Sequence, residues 1–140
     1  MGKIVTVEDL IKNKVKIEKS SDKEINSTLT VPSVGGKIKL AFTRNDIHDF
    51  HDATKNIDKN LPREQVEELL AEMGYNLAYT VISEPNLKDK ELQEAYECKA
   101  PFEIVKKIFN EAEIGDIIDF AIDKAGFRNG KVVEVEDLKN

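Results

Sequence analysis

The sequence predicts an α+β chain, mainly α, in which an N-terminal β-hairpin is followed by a bundle of about five helices. Three observations lead there. Apolar and polar residues alternate in the first third of the chain. From Thr43 onward apolar residues instead recur at three- and four-residue spacing, and the switches of period fall at glycines and prolines. At 140 residues the chain reads as one domain, long enough for a real core. It divides into a short helix and β-hairpin region over 1–42, a helical module over 43–127 and a tail over 128–140.

Thr6 stands three residues before Asp9 and caps a short helix over Val7 to Lys12. Val15 and Ile17 alternate with lysines and read as strand. Ser20 to Lys23 is polar and reads as loop. Leu29 and Val31, then Ile38, Leu40 and Phe42, alternate with polar partners on either side of Pro32-Ser33-Val34-Gly35-Gly36. A hairpin from Ile25 to Phe42 follows, its glycines supplying the positive φ of a tight turn.

Thr43 and Asp46 cap the next segment, where Ile47, Phe50, Ala53, Thr54 and Ile57 share a helix face. Pro62 opens a long helix in its first turn, where a missing N–H costs nothing. Its stripe of Val66, Leu69, Leu70, Met73, Leu77 and Val81 makes it the core helix, stopped near Ile82 by Pro85. Three shorter helices follow. Leu92, Ala95 and Tyr96 lie on one side of the first; Phe102, Val105, Ile108 and Phe109 turn inward in the second. Asn110 and Glu113 cap the last, whose stripe runs from Ile114 to Ala125. Gly126 suits the left-handed position past a helix end, and Phe127 is placed to fold back on it. The tail holds an Asn129-Gly130 turn signal and alternating Val133 and Val135; it pairs as a strand or stays loose until a partner orders it.

Chemistry is sparse. A single cysteine, Cys98, makes neither an internal disulfide nor a zinc site by itself and reads as a half-buried packing residue. A net charge of −6 disfavours a phosphate-tracking nucleic-acid binder. No apolar run approaches a membrane span, and the N-terminus lacks the pattern of a secretory signal, so a cytoplasmic location is expected. His48 and His51, with Asp46, Asp49 and Asp52, form the densest set of potential metal ligands. A third ligand is not placed by any spacing, so a polar helix face is the plainer reading. The acids of the two main helices fall opposite their apolar stripes or in first turns, and no nucleophile–base–orienter set stands out. No catalytic, cofactor or metal residue is therefore assigned. Tyr75, Tyr79, Tyr96 and Phe127 remain as candidate binding anchors.

The segment from Glu84 to Phe127 is specific in another way. Pro85 and Leu87, then Glu91-Leu92-Gln93 and Tyr96, then Glu113 and Gly126-Phe127 resemble the C-terminal half of phage tail assembly chaperones of the XkdN-like family, from Gram-positive phages and prophages. That family usually has Asp where Asn86 stands, Gly where Glu97 follows Tyr96, and Gly where Ala112 precedes Glu113. The resemblance implies a non-enzymatic assembly factor of a phage, prophage or phage-tail-like bacteriocin. Such a protein binds the tape measure protein in the host cytoplasm, recruits tail tube subunits around it, self-associates and is absent from the finished particle. The expected binding surface is the Leu92/Tyr96 helix with the Gly126-Phe127 corner and the tail over 128–140. Two other readings compete: a structural tail or tail-completion component kept in the particle, and a metal-binding protein using His48 and His51.

Overall fold

The computed structural model describes residues 4–17 and 23–126. The expectations for Phe127, for the tail and for the loop at Ser20 to Asp22 lie outside the described residues. Helix α1 (Val7–Lys12) comes first, closed by the reciprocal Thr6–Asp9 capping box. Residues 14–17 continue as helix rather than strand, with Val15 and Ile17 exposed. This overturns the reading of Val15 and Ile17 as strand. Two apolar residues among lysines carry little period, and the hydrogen bond from the Ile17 N–H to the Asn13 carbonyl shows the helical turn that forms instead.

Strands β1 (Glu24–Val31) and β2 (Gly36–Thr43) pair antiparallel, from Glu24 opposite Thr43 to Val31 opposite Gly36. A 3₁₀ turn, Pro32–Val34, joins them, and Gly35 takes the left-handed φ of +65° that ends it. The alternation is honoured: Ile38, Leu40 and Phe42 are buried on one face of β2, while Lys37 and Lys39 are exposed.

The expected architecture, a hairpin followed by a purely helical bundle, is not what forms. A third strand, β3 (Ile82–Glu84), leaves the end of the long helix and pairs antiparallel with β2, giving the order β1-β2-β3. The sheet therefore lies in the middle of the fold, with helices before, between and after its strands. Three residues are too few to show a period of two, and Ile82 merges in sequence with the apolar stripe of the preceding helix. Its pairing with Leu40 in β2 takes it into the sheet.

Helices α2 (Arg44–Lys55) and α3 (Arg63–Val81) pack on each other and on β2. The Thr43–Asp46 capping box fixes where α2 leaves the strand. After β3 come α4 (Lys90–Ala95), α5 (Glu103–Ile108) and α6 (Glu111–Lys124). One core joins the sheet to α3, α5 and α6 through Leu40, Val81, Ile104 and Ile117, each at most 2% exposed. The stripe of α3 is buried only toward its C-terminal end, at Leu77, Ala78 and Val81; Leu70 stays 42% exposed. Gly74 is buried where α3 meets α6. A Cβ built there would stand 3.1 Å from Cδ1 of Ile118, so the glycine permits the close approach.

Candidate interaction surfaces

The segment from Glu84 to Gly126 is built around backbone-directed hydrogen bonds. Leu87 is 1% exposed and anchors the turn that follows Pro85. The Asn86 side-chain oxygen accepts from the Lys88 N–H at 3.1 Å. An aspartate would offer the same acceptor, so Asn86 changes little. Asp89 caps α4 by accepting from the Leu92 N–H at 2.9 Å. Gln93 then reaches both ways, its amide donating to the carbonyls of Leu87 at 2.7 Å and Pro101 at 2.9 Å. One side chain thus ties the turn before α4 to the start of α5.

Helix α4 ends at Tyr96, whose N–H donates to the Leu92 carbonyl. Glu97 follows with φ of +54°, the left-handed region that favours glycine. The Lys107 ammonium donates to the carbonyls of Tyr96 and Glu97, so α5 holds this corner from the other side. Leu92 is half-buried against the core, whereas Tyr96 is 42% exposed. Gly126 sits at the C-terminal end of α6 with φ of +83°, its N–H donating to the Asp123 carbonyl. The structure thus brings Leu92 and Tyr96 together at one helix end and sets Gly126 as the stop of another.

Glu113 shows why a first-turn acid matters here. It completes the capping box of α6 with Asn110. It also accepts from the Ser33 N–H at 3.0 Å and from the Ser33 hydroxyl, binding the hairpin turn to the helix. Those Ser33 hydrogen bonds, then the one from the Asn110 N–H, hold its carboxyl below the usual range. Glu103 is likewise lowered, first by the Lys99 N–H that it accepts at 2.8 Å.

The other candidate anchors divide. Tyr75 and Tyr79 are half-buried against the core, and burial raises both phenols; Tyr75 also donates to Glu111 at 2.9 Å. Cys98 is free, half-exposed and packed on the core. His48 pairs with Asp52 at 3.2 Å, one helical turn away. Among the described residues no group of three or more histidine, cysteine or acidic side chains is assembled to hold a metal ion.

A protein-family profile described as the phage XkdN-like tail assembly chaperone protein matches residues 7–139. The chain belongs to this family. No curated protein and no solved structure matches it. Membership assigns it to phage tail assembly as a chaperone, with proteins of the tail as its partners.

In this tail assembly chaperone most of the residues that carry the family likeness do internal work. Leu87, Gln93, Glu113 and Gly126 pack, staple or terminate elements, and Tyr96 alone of the assigned, described residues presents a large exposed apolar surface. Sequence reasoning missed a larger surface. Ile4, Val5, Val7, Leu10, Ile11, Val15 and Ile17 are all between 49% and 87% exposed, and α1 buries none of its residues. The spacing of Val7, Leu10, Ile11 and Val15 was the available signal, a helix face left exposed among the described residues. A second missed feature is a groove between α2 and α3, about 390 Å³ in volume, floored by Phe50, Ala53, Met73 and Leu77 and edged by Asp46 and Asp49. No helix among the described residues is long and apolar enough to cross a membrane.

Proposed function

We propose that this chain binds the tape measure protein in the host cytoplasm, keeps that long chain soluble and recruits tail tube subunits around it. It works without turnover, in several copies, and leaves before the particle is complete. Family membership is the observation that carries this reading. The surface supports it: exposed aliphatic residues on an acidic domain suit the capture of amphipathic helices, while like net charge opposes uncontrolled aggregation. The contact surface we assign is Leu92 and Tyr96 with Gly126, Phe127 and the C-terminal tail.

Co-expression with the tape measure protein tests it. Tyr96→Ala combined with Phe127→Ala is expected to reduce co-purification, and Tyr96→Ala alone to leave the melting temperature close to that of the parent, because Tyr96 is half in solvent. Undiminished capture by the double variant moves the contact elsewhere. Mass spectrometry of purified particles decides between this role and a retained tail or tail-completion component: presence at fixed stoichiometry overturns the chaperone reading.

A further inference from the structure

We propose that the N-terminal arm of one copy, residues 4–17 and helical from Val7, seats in the α2/α3 groove of a second copy. The inference deepens the self-association included in the proposed function, and rests on it, by naming both halves of the contact. On one side, residues 4–17 carry seven large aliphatic side chains that remain at least 49% exposed. Leaving such a row in water is unfavourable, and its helical spacing suits a groove rather than a flat face. On the other side, the α2/α3 groove has an apolar floor, and Leu70, 42% exposed, extends it along the same face of α3 as Met73 and Leu77.

Charge and length select the occupant. Residues 10–17 hold Lys12, Lys14 and Lys16 and no acid, while the groove edge offers Asp46 and Asp49, with Asp52 one turn further along α2. Glu8 and Asp9 leave residues 4–17 at a net +1, with the positive charge gathered in their second half, so that half and the negative groove edge attract in spite of the net charge of −6 on each whole copy. The helical part of the arm, residues 7–17 with a turn at Asn13, extends about 16 Å and the twelve residues of α2 about 18 Å, so the arm covers the groove once along most of its length.

The test uses the purified full-length chain alone, so its result is independent of tape measure binding. Sedimentation equilibrium is expected to give a mass above the monomer that rises with concentration. Leu10→Asp with Ile11→Asp in the arm, or Ala53→Arg in the groove, is expected to weaken association about tenfold or more. All three positions are exposed, and circular dichroism checks that the fold is kept. In a Cys98→Ser background, chains carrying Leu10→Cys and chains carrying Ala53→Cys are expected to form a mixed disulfide dimer when combined. A monomer at every concentration, association unaltered by both sets of variants, or no mixed Leu10→Cys/Ala53→Cys disulfide when the two chains are combined overturns the proposal.

Discussion

Ser33, in the turn of the hairpin, donates both its N–H and its hydroxyl to the carboxylate of Glu113, in the first turn of α6, across 80 residues of sequence. The same carboxylate caps its own helix through the Asn110 N–H. One acid therefore sets both where α6 starts and where the sheet meets it.

That arrangement makes stability depend on pH in a defined direction. Glu113 is held below the ordinary carboxylate value of about 4.3, so its contribution is fully present above that value and is lost as pH falls through the lower folded-state value. Glu113→Gln is expected to lower the melting temperature at neutral pH, by an amount that shrinks below about pH 4. Thermal melts of parent and variant across that range check it; a difference that stays constant with pH refutes the assignment.

Glu97 occupies a left-handed position at φ of +54°. Glu97→Gly is expected to stabilise the chain by about 1 kcal/mol, because relief of left-handed strain exceeds the added freedom of the unfolded glycine. The Lys107 bonds go to backbone carbonyls and survive the change. Urea denaturation reads the effect as a higher midpoint with unchanged slope.

Gln93 bridges two carbonyls with one amide. Gln93→Leu, which is close in size, is expected to cost about 1–3 kcal/mol by taking the donor from the part-buried Leu87 carbonyl, while the exposed Pro101 carbonyl keeps the Ile104 N–H. Gln93→Glu is expected to cost more at neutral pH, since a carboxylate faces the same two oxygens, and to recover in acid. Denaturation at neutral and acid pH distinguishes these outcomes from a residue that merely fills space.

Gly74 sets the separation of α3 and α6. Gly74→Leu is expected to destabilise by about 1–3 kcal/mol through overpacking. Gly74→Ala should cost much less, because the added Cβ meets only the tip of a half-buried Ile118 side chain and the helix gains from losing a glycine. Equal losses for both variants, measured in the same urea titration, would show that backbone separation does not respond to side-chain size here.

The parts of the fold that were legible are those decided within a few residues. The Thr6–Asp9, Thr43–Asp46 and Asn110–Glu113 boxes close between positions three apart, and the hairpin is written in the alternation around Gly35. Val15 and Ile17 failed because two residues are too short a sample of any period. Strand β3 failed because its place depends on the exposed edge of β2, which no local pattern around Ile82 encodes. At the surface, the corner at Tyr96 was legible as an aromatic at a helix end. The exposure of residues 4–17 was not, because an apolar helix face looks the same in sequence whether or not a neighbour covers it.

By itself, the order of residues determined the caps, the hairpin register and the family likeness of the segment from Glu84 to Phe127. Each of these depends on short-range spacing or on the match of residue types. Only the folded chain decided that Gln93 and Glu113 act as staples, that a third strand joins β2, and which apolar stripes stay in water. Those outcomes depend on which distant surfaces meet, and burial is a property of the pair of surfaces rather than of either one.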